Sequence, residues 1–281
     1  MIALLDLDII TYRCGFAVEK NKYLIYIKGD EHFGPVAVYK YKRDIPDYYS
    51  KDEGCFIVKE KTVEPVENAL HGVKETLQSI IEAVGASSYK GYLSGEGNFR
   101  DTISVTKKYK GNRNPEHKPA HYNDIRDYLI NYWKAEVVDG MEADDALGIK
   151  QDKYGGFGFN ENAYEKTYNT IICSIDKDLD QIPGWHYNFV KKEKYFIEEE
   201  QAIRTFYTQL LVGDNTDNIQ GVKGIGPAKA AKILSECKNE KEMYEACVKA
   251  YDNQELLNEM AQLVYIRRKE GVEWKPPYEP H

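Results

Sequence analysis

Ten carboxylates stand where they could act together. Asp6 and Asp8 follow the apolar residues 2–5. Glu142, Asp144 and Asp145 open an apolar segment in Met-Glu-Ala-Asp-Asp-Ala-Leu. Asp176 and Asp178, with Asp180 beyond them, follow the apolar run 170–175, and Asp214 and Asp217 lie in Gly-Asp-Asn-Thr-Asp-Asn. Ligands of parallel α/β sheets bind beyond the carboxyl ends of the strands. Four acid groups gathered there would repel one another unless paired. Hard divalent cations with oxygen ligands resolve that conflict, which points to Mg²⁺ or Mn²⁺. Each group also has a bland reading. Acids at a helix start satisfy the dipole, and Asp-Asn-Thr-Asp suits an Asx turn. Those readings would have to hold independently in four places.

A basic segment separates the first two groups. Residues 98–126 hold Arg100, Lys107, Lys108, Lys110, Arg113, Lys118 and Arg126 against Asp101, Glu116 and Asp124, a local +4 in a chain of net charge −8. Its centre is Tyr109-Lys110-Gly111-Asn112-Arg113, with His121 and Tyr122 beyond. Cations interleaved with aromatics suit a phosphate backbone with bases to stack; a solvated charged loop is the alternative. His117 and His121 have i, i+4 spacing, but Pro119 between them argues against a histidine metal site.

A third signal is Gly221-Val222-Lys223-Gly224-Ile225-Gly226-Pro227, followed by Lys229 and Lys232. The glycines permit conformations closed to other residues, and Pro227 suits the first position of a helix. Amides at that helix start, with the two lysines, would grip one phosphate without reading sequence. A plain helix–helix connection is the alternative.

The elements that must position these groups alternate. Strands are predicted at residues 2–7, 23–28, 36–41, 55–61, 89–93, 137–138 and 170–175. Helices are predicted at 64–84, with Gly85 as the stop, at 122–133 and from 142 to 150. Residues 151–168, rich in Gly, Asn and Tyr, read as a loop, and the pattern beyond about residue 199 is wholly helical. This is an α/β domain over 1–199 and a helical part over 200–281. The 281 residues give one to two domains. No stretch approaches the roughly 18 apolar residues of a membrane span, and Asp6 and Asp8 interrupt the N-terminal run too early for a signal peptide. Five scattered cysteines without a C-x-x-C pair fit a reducing, cytoplasmic setting. The 23 tyrosines decide nothing by themselves.

In this order the motifs resemble the 5′-nucleases: bacteriophage 5′→3′ exonucleases, flap endonucleases and the 5′-nuclease domain of bacterial DNA polymerase I. Asp6 with Arg13 is similar to the family's first metal aspartate and the arginine seven residues on. Asn98-Phe99-Arg100 and Tyr109-Lys110-Gly111-Asn112-Arg113 resemble its arginine and its Tyr-Lys-x-x-Arg motif. Glu142-Ala143-Asp144-Asp145 resembles its acidic helix start, Asp176-Lys177-Asp178 with Gln181 its second acidic strand end, and residues 213–226 its last aspartate pair running into a helix-three-turn-helix.

The resemblance implies a PIN-like α/β fold with a central, mostly parallel sheet, and hydrolysis of DNA near 5′ ends to leave 5′-phosphate and 3′-hydroxyl. Two Mg²⁺ or Mn²⁺ ions roughly 4 Å apart would serve it. Asp6, Glu142, Asp144 and Asp145 would hold or support the first ion, and Asp176, Asp178, Asp214 and Asp217 the second. Lys110, Arg113 and Arg100 would be catalytic. Tyr109, Gly221, Val222, Lys223, Gly224, Ile225, Gly226, Lys229 and Lys232 would touch DNA, with K⁺ at the glycine turn. Residues 100–133 would form an arch around the single-stranded 5′ end. The expected partners are DNA 5′ ends, flaps or nicks, or an RNA–DNA hybrid, the expected state is a monomer, and no membrane is involved. The chain departs from the pattern in three places. Ser94 stands where an aspartate is usual, so that ligand is absent or supplied by Glu96. Asp180 is an extra acid, and residues 20–63 are longer than in the polymerase domain. Two rivals remain. Leu4-Leu5-Asp6-Leu7-Asp8 with Gly213-Asp214-Asn215-Thr216-Asp217 also resembles haloacid-dehalogenase-type phosphatases, with Asp6 as nucleophile. A non-catalytic DNA-structure binder on the same scaffold is the other.

Overall fold

A computed structural model describes residues 1–114, 117–155 and 169–277. In chain order the strands are β1 (Ile2–Asp6), β2 (Glu19–Ile27), β3 (Ala37–Tyr39), β4 (Cys55–Val63), β5 (Ser88–Ser94), β6 (Glu136–Val138), β7 (Thr170–Cys173), β8 (Gly184–Asn188), β9 (Glu193–Ile197), β10 (Gly213–Asp214) and β11 (Ile219–Gln220). The helices are α1 (Leu7–Ala17), α2 (Asp47–Ser50), α3 (Val66–Val84), α4 (Phe99–Ile103), α5 (Tyr122–Asn131), α6 (Ala143–Gly155), α7 (Glu199–Val212), α8 (Pro227–Ser235), α9 (Glu240–Ala250) and α10 (Gln254–Val264).

The described chain divides into two compact units, one of residues 1–10, 76–117 and 128–281, the other of residues 11–75 and 118–127. This division does not follow the boundary at 199/200. The C-terminal helices belong to the same unit as the parallel sheet, and Ile266, just beyond α10, shares a core with Leu4, Tyr92 and Ile172 of the sheet.

The first unit carries a six-stranded sheet in the order β6-β5-β1-β7-β8-β9. All neighbours are parallel except β8 and β9. Ala3, Leu4 and Leu5 of β1 and every residue of β7 are buried, as expected of parallel strands covered on both faces. The carboxyl ends of β1, β5, β6 and β7 therefore share one sheet edge, followed by Asp6, Ser94, Asp139 and Asp176. Ser94 Oγ accepts a hydrogen bond from Ala143 N at 2.9 Å and so caps α6.

The second unit is built on an antiparallel sheet in the order β3-β2-β4. β2 and β4 pair along their full length, from Glu19 opposite Val63 to Ile27 opposite Cys55, with Tyr26 stacked on Phe56.

Several sequence expectations need correction. Residues 7–17 form helix α1, which sequence periodicity does not announce because its apolar residues surround the axis instead of forming a stripe. Residues 151–155 continue α6 rather than starting a loop; the rest of that expected loop, 156–168, and Glu116 of the basic segment lie outside the described residues. The region beyond 199 is not wholly helical, since β10 and β11 pair between α7 and α8. Gly213 (φ 75°) permits that ladder. A Cβ on Gly221 would collide with Val212 O, so the close approach of the two strands requires glycine there.

Candidate active site

The carboxylate groups converge within the first unit. One cleft of about 720 Å³ is lined by Asp144, Asp176, Asp178, Asp180, Asp214 and Asp217, together with Lys110 and Arg113. Each acid is held by its local structure. Asp6, at the end of β1, is 2% exposed; Ser174 Oγ donates to its Oδ2 at 2.6 Å and Ile9 N to its Oδ1 at 3.2 Å. The same Ser174 hydroxyl accepts from Asp176 N at 3.0 Å and so ties the ends of β1 and β7 together. Asp8 accepts from Ser94 N at 3.0 Å. Asp176 accepts from Asp178 N at 2.9 Å, and Asp214 caps its own turn by accepting from Thr216 N at 2.6 Å.

Burial and like charge act together here. Burial first, then the charges of Asp8 and Asp176, push Asp6 up to about 7. Burial and the charges of Asp6, Asp176 and Glu142 hold Asp144 well above the ordinary carboxylate range, with Lys110 opposing. Asp176 is raised by burial and by Asp217 and Asp214. Asp178 is pushed up to about 7 by burial and by Asp176, Asp214 and Asp217. Such carboxyls ionise fully only when positive charge arrives.

Two cations meet part of that demand. Lys110 Nζ binds Glu142 and lies 3.6 Å from Asp217. Arg113 Nη2 binds Asp217. Lys110 has φ 53°, an unusual conformation for a side-chain-bearing residue, and its N–H donates to Asp217 O at 2.9 Å. Backbone strain of this kind clusters at functional sites. Among the described residues, no three or more His, Cys, Asp or Glu side chains form a ready-made coordination group. The donor set nonetheless fits a hard divalent cation. It is all oxygen, it carries more negative charge than its internal cations neutralise, and Asp6 and Asp178 are pushed up to about 7 by burial and like charge.

Three predicted residues are placed differently from expectation. The resemblance implies a catalytic Arg100 and an Asp145 that supports a metal. Arg100 is 2% and Asp145 0% exposed. Their side chains meet through Nη1–Oδ2 at 2.7 Å and Nη2–Oδ1 at 3.0 Å, and Arg100 also donates to Leu263 O and Tyr265 O. Asp145 further accepts from Glu142 N and Arg267 N. With its donors committed, Arg100 positions the start of α6 rather than reaching a substrate. The resemblance also implies that Tyr109 touches DNA. It is 5% exposed and packed into the C-terminal core, so its ring has no open face for a base. Its hydroxyl lies 3.0 Å from Glu142 Oε2 and 2.8 Å from Asp217 Oδ2, linking acids from two groups.

The glycine-turn residues and the lysines of α8 line an exposed stretch apart from the acids. Lys223, Gly224, Gly226, Lys229 and Lys232 are exposed, and Gly221, Val222 and Ile225 are half-buried. Gly224 has φ 78°, and Gly226 is the N-cap of α8 with Pro227 next. Glu96 is exposed, with its N–H on Asp139. Asp180 accepts from Tyr195 OH at 2.9 Å. Two supporting residues had no sequence signal: Gln209 Nε2 binds Asp178 from α7, and Ser174 bridges Asp6 and Asp176. Both oxygens of Asp6 accept one hydrogen bond each in a buried place, which leaves a lone pair on each.

No protein-family model matches the chain. It is similar to DNA polymerase I of Borreliella burgdorferi, 29% identical over 146 residues, which are 48% of this chain and 14% of the polymerase. It is also similar to a 5′-3′ exonuclease of Buchnera aphidicola, 29% identical over 188 residues, 63% of this chain and 62% of that protein. The chain thus spans less than two thirds of these relatives. Among solved structures, a T5 5′-exonuclease mutant aligns with a TM-score of 0.52 at 15% identity, covering 94% of this chain and 84% of the other. That likeness fixes the fold as the α/β fold of the phage exonuclease. No helix among the described residues is long and apolar enough to cross a membrane.

Proposed function

We propose that this chain, a relative of the 5′-nuclease family, is a divalent-metal-dependent 5′→3′ nuclease that hydrolyses DNA phosphodiesters near 5′ ends. The observation that carries this reading is one cleft that joins the acids beyond β7 to those of α6 and β10 and to the cations Lys110 and Arg113. The solved T5 protein that was co-crystallised with metal ions shares this fold.

Asp6, Glu142 and Asp144 would hold one ion, and Asp176, Asp178, Asp214 and Asp217 a second; Mg²⁺ or Mn²⁺ suits all-oxygen donors. Bound there, the ions would activate water and stabilise the leaving oxygen. The chain's own residues do the rest. Arg100 and Asp145 fix the start of α6. Tyr109 keeps Glu142 and Asp217 in register. Lys110 and Arg113, already at the acids, exchange carboxylate contacts for the scissile phosphate and stabilise charge that grows in the transition state. In the overall reaction water oxygen joins phosphorus, the P–O3′ bond breaks, and a proton ends on the 3′-oxygen.

Within the C-terminal part, residues 200–281, the exposed turn at 221–226 with Lys229 and Lys232 would hold duplex backbone, with K⁺ seated by carbonyls of the turn. Residues 100–133 would contact the 5′ single strand. We read the protein as a monomer acting on 5′ ends, flaps or nicks. Product mapping on a 5′-labelled flap, a blunt duplex and a nicked duplex, with and without Mg²⁺, tests this. The reading requires Mg²⁺-dependent products ending in 3′-hydroxyl. Flap binding without cleavage in Mg²⁺ or Mn²⁺ would replace it with a non-catalytic binder.

A further inference from the structure

Residues 20–63 build their own surface. β3 pairs with β2 only at Tyr23–Tyr39, Leu24–Val38 and Ile25–Ala37. Residues 19–22 of β2 therefore have β4 on one side and an open edge on the other. After Tyr39 the chain leaves the sheet through Lys40, Tyr41 and Lys42. Between the open edge and that departing chain lies a hollow of about 590 Å³, lined by Lys22, Tyr23, Tyr39, Lys40, Tyr41 and Lys42 among others.

Its charge is one-sided. Glu19, the carboxylate in the lining, is taken up by Lys61 at 2.7 Å and by Ala120 N, and Lys20 is paired with Glu64 at 2.5 Å. Lys22, Lys40 and Lys42 are exposed and have no carboxylate partner among the described residues. Tyr41 stays 46% exposed, with Lys40 Nζ 5.3 Å and the Arg43 guanidinium 5.0 Å from its ring centre. Asn21 is also in the lining, with its Oδ1 buried and without a hydrogen-bond partner.

We propose that the hollow between β2 and the chain leaving β3 binds single-stranded nucleic acid, with phosphates on Lys22, Lys40 and Lys42 and a base on Tyr41. Unpaired lysines around an exposed tyrosine are the pattern that tracks a flexible phosphate backbone and stacks bases without reading sequence. The carboxylate cleft plays no part in this binding, and affinity measured without metal separates it from cleavage.

The test is fluorescence anisotropy in EDTA with labelled 20-nucleotide oligo(dT), oligo(rU) and a blunt duplex. The triple variant K22E/K40E/K42E should bind at least one single strand about tenfold or more weaker. Its slope of log affinity against log salt should flatten by about 2, as loss of three single-strand phosphate contacts requires. Duplex binding should change much less. K191E/K249E/K269E, with the same change in net charge on exposed lysines elsewhere, should stay near wild type. Tyr41→Trp leaves the lysines in place and reads the site even if the triple variant misfolds; its indole emission should be quenched by the single strand. Wild-type single-strand affinity in a folded triple variant, or indole emission of the Tyr41→Trp protein unmoved by saturating oligonucleotide, overturns the proposal. So does loss of binding to polyglutamate with oligonucleotide binding intact, since the surface would then take an acidic protein.

Discussion

The ammonium of Lys110 binds Glu142 and lies 3.6 Å from Asp217, so one cation spans two acid groups from distant parts of the chain. It is held there by a left-handed backbone whose amide is bound to Asp217 O. A lysine in this position is ready to pass from carboxylate to phosphate. Lys110→Ala should lower the single-turnover cleavage rate by about 10² to 10³ while DNA affinity falls less than tenfold. Single-turnover kinetics beside anisotropy checks this. Equal losses would make Lys110 a binding residue only.

Arg100 and Asp145 make a buried bidentate pair. Removing one partner leaves the other charge buried and uncompensated, which costs about 3–5 kcal/mol. Arg100→Ala should therefore fail chiefly in stability, read as a lowered urea midpoint. A variant with wild-type stability and no activity would return Arg100 to a direct catalytic role.

Tyr109 separates ring from hydroxyl. Tyr109→Phe keeps the packing and loses the hydroxyl shared by Glu142 and Asp217, so the cleavage rate should fall with stability changed by about 1 kcal/mol. Tyr109→Ala empties part of the C-terminal core and should cost about 3–5 kcal/mol. If Tyr109→Ala instead loses DNA affinity that Tyr109→Phe keeps, with stability unchanged in both, the ring contacts DNA after all.

Asp178 is raised from 3.8 to about 7, by burial and then by its acidic neighbours. The folded state therefore holds a proton that the unfolded chain has already released. This raised group favours folding fully below about pH 4 relative to higher pH, and the advantage is lost as pH rises toward 7. In EDTA, Asp178→Asn should gain in Tm relative to wild type as pH rises from 4 to 7. Mg²⁺ should shrink that gain at pH 7 by stabilising the ionised wild-type site. Parallel Tm–pH profiles for the two proteins would contradict this.

Much of the site was legible because carboxylates after apolar strands mark the binding edge of a parallel sheet. Asp6 after β1 and Asp176 after β7 meet there through Ser174. The basic Tyr-Lys-x-x-Arg segment also stood out, and Lys110 and Arg113 line the same cleft. What was not legible depends on burial. An arginine in a basic segment reads the same whether it faces solvent or, like Arg100, is sealed against Asp145. Tyr109 likewise gives no local sign that its ring belongs to the core of α7, α9 and α10. α1 escaped notice because it lacks an apolar stripe, and β8 and β9 because His186, Tyr187 and Tyr195 mix polar and apolar character. The strands of residues 20–63 were visible, but only pairing reveals the short β3 and the open edge beside it.

The central claim is that carboxylates brought together by the fold seat ions that cut DNA. Single-turnover cleavage of a 5′-labelled flap in Mg²⁺ by the double variant D176N/D178N, with flap affinity measured alongside, tests it most directly. The account predicts a rate lower by about a thousandfold or more, several kcal/mol of transition-state stabilisation, with DNA still bound. Cleavage at the wild-type rate would contradict it.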